Sequence, residues 1–394
     1  MNNYSTYTSQ VPLNTALPKI VVLGLGGGGS NAINRMIESG MQGVTFISAN
    51  TDAQALANNM APNKIQLGPK STRGLGAGGL PVVGENAAEE STKELAALLR
   101  GADMVFLTAG MGGGTGTGAI PIAAKVAKAS GAVTIAIVTK PFSFELGRRQ
   151  RNAEEGLAKL KEFTDTLIVI PNDKLIEIAP RDLPLEMAFT LADDVLRQGV
   201  QGISELITET GLINVDFSHI KNIMTRGGGA LMAIGTGSGP NKVQQAIEKA
   251  LHHPLLDDID LYSATGMIAN FTGSSNMSFK DVTDALHTLQ QATGSHADII
   301  PGIITDPRME DRVQLILIVT GIGKKQEQIL SDAFEKETGR TEQREVVKKT
   351  SFQDNDAPVQ ENYNEIGLSS YGNQPNLTDN LSVPAFLRRR QNNK

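Results

Sequence analysis

Short apolar segments alternate with segments of helical spacing along the first half of the chain. The apolar segments are residues 19–26, 44–52, 103–110, 133–140 and 166–173. Helical spacing lies between them, for example at residues 30–40 and 119–130. Apolar strands that alternate with helices are typical of a parallel sheet covered by helices on both faces. The pattern therefore predicts an α/β fold, with a Rossmann-like parallel-sheet domain over residues 18–183.

A longer amphipathic stretch follows this domain. Between residues 184 and 208, apolar side chains recur at helical spacing over about six turns. They are Leu185, Phe189, Ala192, Val195, Leu196, Val200, Ile203, Leu206 and Ile207. We expect a long central helix, within residues 184–210, that connects two domains.

The pattern then returns to alternating strands and helices. Helices are predicted at residues 217–225, 242–252 and 279–293, and strands at residues 229–237, 264–273, 297–306 and 313–321. These elements predict a second, smaller α/β domain over residues 211–323.

Both ends of the chain are polar. After residue 324, Gln, Asn, Glu, Lys and Ser dominate, which predicts a disordered linker over residues 324–378. A compact apolar and basic segment, LSVPAFLRRRQ, then lies within a C-terminal peptide at residues 379–394. Residues 1–17 lack a basic region followed by an apolar core, so we expect a disordered arm there and not a signal peptide.

Composition narrows the function classes. The 394 residues carry a net charge of −6, which argues against nonspecific binding to nucleic acid. The chain has no Cys, which excludes disulfides and Cys-based zinc sites and is compatible with the cytosol. Its five His residues are scattered, and no metal site is predicted. No apolar run approaches the ~18 residues that span a bilayer, so membrane insertion is not expected.

A glycine-rich loop at residues 24–29 follows the first predicted strand and opens a helix. Backbone N–H groups and the helix dipole favour an anion at such a place. The loop also satisfies the GxGxxG spacing of dinucleotide-binding folds, and Asp52 lies where a ribose-binding acid is expected. This loop alone leaves an NAD-type oxidoreductase and another phosphate-binding function about equally favoured.

A second glycine-rich loop, at residues 110–118, also follows a strand and opens a helix. Two phosphate-binding loops on neighbouring strands suit a triphosphate better than a pyrophosphate bridge. The alternative, a flexible connector, is disfavoured because two Thr hydroxyls lie among the glycines. Neither loop contains GxxxxGK[ST], which excludes a P-loop NTPase.

Several motifs resemble those of one family. GGGTGTG at residues 112–118 is the signature that tubulin and FtsZ share, and GGGGSNAINRMIE at residues 26–38 is similar to the family's first loop and helix. Further similar segments are NTDAQAL (50–56), STRGLGAGG (71–79), KPFSFE (140–145), IPND (170–173), ADDVLRQGVQGIS (192–204) and GLINVDF (211–217). The tail segment LSVPAFLRRRQ resembles the family's C-terminal partner-binding peptide. The chain therefore resembles the tubulin/FtsZ family over about residues 19–321 and in its tail.

The resemblance implies a site for GTP and GDP, with Mg²⁺ bound through the nucleotide. The residues that it implies for the phosphates and the approach to the base are Gly27, Gly28, Gly29, Ser30, Asn31, Gly113, Gly114, Thr115, Gly116 and Thr117. Those implied for the ribose side, for guanine and for stacking are Glu145, Arg149, Asn172, Asp193 and Phe189. These roles suit the chemistry, since a carboxylate accepts two hydrogen bonds and an aromatic ring stacks on a purine. Without the resemblance, a solvated Asp193 and a core Phe189 are the favoured readings.

The resemblance also implies that hydrolysis needs two subunits. The loop at residues 211–219 caps the nucleotide of the next subunit, and Asn214, Asp216 and residue 219 face it. The family usually has Asp where this chain has His219. Loss of one water-positioning acid predicts hydrolysis slowed by roughly ten- to a thousandfold. Two alternatives stay open: His219 acts as a base, or it points to solvent and matters little.

The resemblance further implies a polymerising cytoskeletal GTPase that forms the division ring. Contacts between the top of one subunit and the bottom of the next give open filaments of this chain with itself. In the tail, Val383, Pro384, Phe386, Leu387 and Arg388 are expected to bind membrane anchors and regulators of division. The implied location is the cytoplasm, at the mid-cell division site.

Overall fold

A computed structural model describes residues 17–145, 147–180, 182–209, 215–227, 229–257 and 259–322. All of these residues belong to one compact unit, Met1–Ala333. The predicted arm up to residue 16, the linker and the C-terminal peptide lie outside the described residues.

Strands and helices alternate through the first half of the chain. In chain order they are β1 (Ile20–Leu25), α1 (Gly26–Glu38), β2 (Val44–Asn50), α2 (Ala53–Ala57), β3 (Asn63–Gln66), α3 (Pro81–Glu90), α4 (Thr92–Leu99), β4 (Met104–Gly110), α5 (Thr115–Ala129), β5 (Val133–Lys140), α6 (Gly147–Lys161), β6 (Thr166–Pro171) and α7 (Asn172–Glu177). One turn of 3-10 helix, Ser143–Glu145, precedes α6.

The second half begins with the long helix. Its elements are α8 (Leu185–Thr208), α9 (Phe217–Thr225), β7 (Gly229–Ser238), α10 (Lys242–Leu251), β8 (Gly266–Gly273), α11 (Phe279–Ala292), β9 (Asp298–Thr305) and β10 (Arg312–Ile322). Among the described residues, no helix is long and apolar enough to cross a membrane.

All the described strands join one sheet, in the order β3-β2-β1-β4-β5-β6-β7-β10-β8-β9. The first six are parallel and follow the order of the dinucleotide-binding fold, 3-2-1-4-5-6. Among the described residues, strand β7 continues the sheet beside β6 through two residue pairs, Leu167 with Gly229 and Ile168 with Ala230. Beyond it, β10 runs antiparallel to β7 and β8, and β9 is parallel to β8.

Side-chain alternation along the strands builds a core on each face of the parallel sheet. On β1, Ile20 and Val22 pack on the face that carries α1 and α8, while Val21 and Leu23 pack on the face that carries α3, α4 and α5. All six residues of β1 are buried, as expected for a central parallel strand. A third core lies between helices α10 and α11 and strands β7, β8, β9 and β10.

Helix α8 packs against both halves of the sheet. Its buried residues share one core with Ile137 on β5 and Ile316 on β10. Glycines allow this close approach, because a Cβ added at Gly202 would lie 2.8 Å from Cγ2 of Ile316. The long helix is therefore the common support of the two sheet regions.

The predicted fold class is confirmed: a mostly parallel α/β sheet, a long connecting helix and a second α/β region. The predictions differ from the structure at the start of both phosphate-loop helices. Helix α1 begins at Gly26, inside the glycine run, and α5 begins at Thr115, four residues before the predicted start. The elements β3, α3 and α4 were not predicted, because they are short and partly polar.

Candidate nucleotide-binding site

A cleft of about 400 Å³ lies at the carboxyl ends of the parallel strands. In the strand order, β1 and β4 lie side by side here. Successive strands from β1 are added toward one edge of the sheet and those from β4 toward the other, and ligands of open α/β sheets usually bind at such a point. The cleft is lined by Gly27, Gly28, Asn31, Gly110, Met111, Gly113, Gly114, Thr115, Gly116, Thr139, Pro141, Glu145, Arg149, Asn172, Phe189, Ala192 and Asp193.

The first glycine run serves two purposes. A Cβ added at Gly27 would meet nothing within 4 Å, so this residue leaves open space. A Cβ added at Gly29 would lie only 2.4 Å from the backbone oxygen of Thr108, so this residue lets α1 pack against β4. No side chain caps α1, whose N-cap is Leu25. Its first N–H groups therefore remain available to an anion.

The second glycine run opens α5 in the same way. Gly112 has a φ of +102°, and Gly113, like Gly27, faces open space. The N-cap of α5 is Gly114, which offers no side-chain cap. The hydroxyl of Thr115, the first residue of the helix, lies 2.6 Å from the hydroxyl of Thr51. Two helix N-termini without side-chain caps therefore border one cleft, which favours a ligand with several phosphates.

Glu145 and Arg149 lie one helical turn apart and form an ion pair. One carboxylate oxygen of Glu145 also accepts a hydrogen bond of 2.9 Å from the backbone N–H of Phe142. The Glu145 side chain is 9% exposed, whereas the Arg149 side chain is 57% exposed. The carboxylate is thus held in place, and the guanidinium reaches the mouth of the cleft.

Two polar side chains line the other end of the cleft. Asn172 begins α7 and is 5% exposed, and its Oδ1 atom is buried with no hydrogen-bond partner. The carboxylate of Asp193, on α8, is mostly buried and lies 3.6 Å from Nε of Arg35. Burial raises the pKa of Asp193 from 3.8 to about 6, against the opposing effect of Arg35. An unpartnered amide oxygen and a desolvated carboxylate suit a ligand edge that donates hydrogen bonds.

Phe189 lies one helical turn before Asp193 and is 40% exposed. Its ring meets Phe142 edge to face, with centroids 5.3 Å apart, and Phe144 at 6.3 Å. The ring is therefore held by two neighbours and is not part of the core. The readings favoured without the resemblance, a core Phe189 and a solvated Asp193, therefore do not apply, since Phe189 is exposed and Asp193 is mostly buried.

Three of the fifteen residues predicted to bind GTP do not line the cleft. Gly29 packs against β4, as described above. The hydroxyl of Ser30 is buried and lies 2.9 Å from the hydroxyl of Ser48. The hydroxyl of Thr117 accepts a hydrogen bond of 2.8 Å from the N–H of Gly112. These three residues support the two loops on the side away from the cleft. The other twelve residues predicted to bind GTP border the cleft.

Five lining residues were not predicted as site residues from the sequence: Gly110, Met111, Thr139, Pro141 and Ala192. Four of them lie at or just after the ends of β4 and β5, a position that could have been recognised from the strand pattern. Asp52, considered above as a ribose-binding acid, does not line the cleft. Its carboxylate caps α2 by accepting hydrogen bonds from the N–H groups of Gln54 and Ala55.

The residues predicted for hydrolysis lie elsewhere. Asp216 precedes α9 and His219 is in its first turn; both are exposed, and neither lines the cleft. Asn214 lies outside the described residues. From Asp193 to the end of α8 the helix rises about 22 Å. Helix α9 lies at the amino ends of the parallel strands, opposite the cleft, because its Met224 carbonyl oxygen accepts a hydrogen bond from the hydroxyl of Thr166, the first residue of β6. One chain therefore does not bring these residues to its own cleft. The described residues also contain no cluster of His, Cys, Asp or Glu that could hold a metal ion.

Comparisons with known proteins agree with this architecture. Residues 19–180 match the tubulin/FtsZ family, GTPase domain, and residues 228–323 match the FtsZ family, C-terminal domain. An empty FtsZ dimer from M. jannaschii is 45% identical, with a TM-score of 0.75, over 78% of this chain and 90% of that chain. An FtsZ mutant from M. jannaschii is 44% identical, with a TM-score of 0.76, over 78% and 92%.

A more distant structure shares the fold alone. CetZ2 from Haloferax volcanii, a GTPγS-bound protofilament, is 20% identical, with a TM-score of 0.66, over 80% of this chain and 98% of that chain. The two family matches and the identity to M. jannaschii FtsZ show that this chain belongs to the FtsZ family of tubulin-related GTPases.

Proposed function

We propose that this chain binds and hydrolyses GTP and assembles head to tail into filaments that organise cell division. One observation carries the proposal. The cleft combines two uncapped helix N-termini with an unpartnered buried amide oxygen, while Asp216 and His219 lie outside the cleft, at the start of α9. A site divided in this way is complete only where two chains meet.

Each part of the cleft has a role in binding. The N–H groups at the starts of α1 and α5 donate hydrogen bonds to the phosphates, and Arg149 adds a positive charge. The carboxylate of Asp193 accepts hydrogen bonds from N1 and N2 of guanine, and the amide of Asn172 pairs with another polar group of the base. The exposed ring of Phe189 stacks on the purine.

Hydrolysis needs the second surface. Asp216 of one subunit polarises a water that attacks the γ-phosphate bound by the next, and Asn214 helps to orient that water. Magnesium bound through the nucleotide would supply positive charge that offsets the negative charge on the phosphates. His219 lies one turn from Asp216, with its N–H 3.0 Å from the Asp216 carbonyl oxygen, and occupies the position of the family's second acid.

A second candidate function rests on His219. An imidazole carries no negative charge in either protonation state, so it does not replace an acid. The alternative is therefore a filament that hydrolyses GTP slowly or not at all and acts as a stable division scaffold or regulator.

The test is phosphate release from GTP with magnesium over a range of protein concentrations, with assembly followed by light scattering. If the site is shared, release begins at a threshold concentration and follows assembly. Release proportional to concentration from the lowest values would contradict the shared site. His219→Asp should accelerate release by at least about tenfold if the scaffold candidate holds. An unchanged rate would reject that candidate.

The relatives and the tail motif support the proposed partners. FtsZ from M. jannaschii is described as a dimer and CetZ2 as a protofilament, which supports self-assembly through the same fold. The tail residues that carry the proposed binding to membrane anchors and regulators at the cytoplasmic mid-cell site are Val383, Pro384, Phe386, Leu387 and Arg388. Cosedimentation of the whole chain with a candidate anchor, compared with Phe386→Ala, tests this part.

A further inference from the structure

Arg35 is the charged residue that faces the carboxylate of Asp193 most closely. It lies in the last turn of α1, the helix whose other end borders the cleft. Its NH2 group donates a hydrogen bond of 3.0 Å to the hydroxyl of Thr190 on α8. That hydroxyl donates in turn to the carbonyl oxygen of Glu186, at 3.0 Å. The guanidinium is therefore fixed on α8 by one hydrogen bond whose acceptor is itself fixed.

A second nitrogen of this guanidinium, Nε, is incompletely satisfied. Nε of Arg35 is buried without a hydrogen-bond partner and lies 3.6 Å from Oδ2 of Asp193, just beyond hydrogen-bonding range. A buried donor without a partner is uncommon and costs free energy. The guanidinium thus places a positive charge beside Asp193, and its Nε is too far from Oδ2 for a regular hydrogen bond.

We propose that Arg35 is a positioning residue that keeps Asp193 ionised and turned into the cleft, and thereby sets the preference for guanine over hypoxanthine. The inference rests on the proposed nucleotide site and adds a residue that does not line the cleft. Guanine donates from both N1 and its exocyclic amine, and hypoxanthine lacks that amine. An ionised carboxylate accepts both donors, whereas a protonated one accepts only one and presents its own proton to the other.

The surroundings leave this task to Arg35. Among the described residues, Glu145 and Arg149 border the same cleft but pair with each other. The adjacent Asp194 on α8 pairs with Arg197. Burial raises the pKa of Asp193, and Arg35 opposes that rise. Removing the guanidinium therefore raises the pKa of Asp193 further.

The test compares GDP with IDP, which differ only by the exocyclic amine. Both compete with a fluorescent GDP analogue on nucleotide-free full-length chain, below the assembly concentration, between pH 5.5 and 8. The diphosphate titrates in the same range but is common to both ligands, so it cancels in the ratio of their affinities. In the wild type, the preference for GDP should be about tenfold at pH 8 and decline below pH 6.

Arg35→Gln should shift this decline to higher pH and reduce the preference at pH 7 several-fold. Arg35→Lys should restore part of it, because the charge is kept and the fork that reaches Thr190 is lost. Arg197→Gln is the matched control, since it breaks the neighbouring pair outside the cleft, and its profile should equal the wild type. Asp193→Asn should abolish the pH dependence of the ratio.

The outcomes separate the inference from the proposed function. An Arg35→Gln profile that overlays the wild type would overturn the inference and leave the nucleotide site intact. Equal affinity of the wild type for GDP and IDP would do the same. A wild type that binds neither ligand would overturn the proposed function and the inference with it. Thermal unfolding of each variant shows whether a changed ratio accompanies loss of fold, and a ratio that follows folding alone counts against the inference.

Discussion

The two ends of the cleft are built from different materials. At the phosphate end, backbone groups of two glycine runs face the ligand, and Gly27 and Gly113 leave open space. At the base end, side chains from separate elements converge, with Asn172 from α7 and Phe189 and Asp193 from α8. The phosphate end thus depends on local sequence, and the base end depends on the packing of α8. This difference decides what substitutions do at each end.

The largest expected effect comes from filling the phosphate end. Gly27→Val places a side chain in open cleft and should fold normally, but it should weaken GDP binding by at least about a hundredfold. Calorimetric titration with GDP measures the affinity. A variant that binds within fivefold of the wild type would show that the phosphates lie elsewhere.

Gly29→Ala is the matched control for that experiment. Its Cβ would lie 2.4 Å from a backbone oxygen that cannot move easily, so the free energy of unfolding should fall by about 2–4 kcal/mol. Denaturant unfolding measures it. If both variants lose stability equally, the distinction between the lining and the packing glycine fails.

The next effect concerns the buried charge at the base end. Asp193→Asn removes an acceptor of two hydrogen bonds and should weaken GDP binding by roughly ten- to a hundredfold at pH 8. In the wild type, binding needs the ionised carboxylate, so affinity should be full well above pH 6 and fall as the pH drops below it. A GDP affinity for the variant equal to that of the wild type would remove Asp193 from the base site.

The same substitution should stabilise the chain without nucleotide. Because the pKa of Asp193 is raised on folding, the folded state binds the proton more tightly than the unfolded state between pH 3.8 and about 6. Stability is therefore lost as the pH rises through this window. Asp193→Asn should raise the free energy of unfolding at pH 8 by about 1–3 kcal/mol. An unchanged or lower stability would mean that burial does not penalise the charge.

A smaller effect is expected for the ring at the base end. Phe189→Ala should weaken GDP binding by roughly tenfold, because the purine loses its stacking surface. Since the ring is 40% exposed, the unfolding temperature should change little. Phe142→Ala is the control, because that ring is fully buried and its removal should lower stability instead.

The smallest effect tests a supporting contact at the phosphate end. Thr51→Val removes the hydroxyl that lies 2.6 Å from that of Thr115, and it should weaken GDP binding about threefold. Val is close to Thr in shape, so packing is kept. A loss as large as that of Gly27→Val would show that the phosphate end relies on side chains as well as backbone.

The sequence predicted the two ends of the cleft unequally. The strand, glycine run and helix at residues 19–38 are local, so the phosphate end could be read from the chain directly. Asn172 and Asp193 were identified only through the family resemblance, since nothing in their own surroundings shows that they converge. Arg35 and Thr51 were not identified at all, because their contacts span 155 and 64 positions of the chain.

The fold shows the same division between local and distant information. Strands β1, β4 and β5 are mostly apolar and almost entirely buried, and they were predicted within a residue or two. The starts of α1 and α5 were predicted too late, because glycine has a low helix propensity and only the packing against the sheet makes these turns helical. For the same reason, the pattern could not separate Gly29 from Gly27.

The seam between β6 and β7 has a mechanical consequence. Among the described residues, two residue pairs connect the strands there, whereas β10 pairs with β7 along nearly its whole length. Any tension that pulls the two halves of the chain apart concentrates on this seam, and the packed flank of α8 carries the remaining load in shear. Under such a pull, the two sheet regions therefore stay intact and remain held by α8, while the pairing between β6 and β7 separates first.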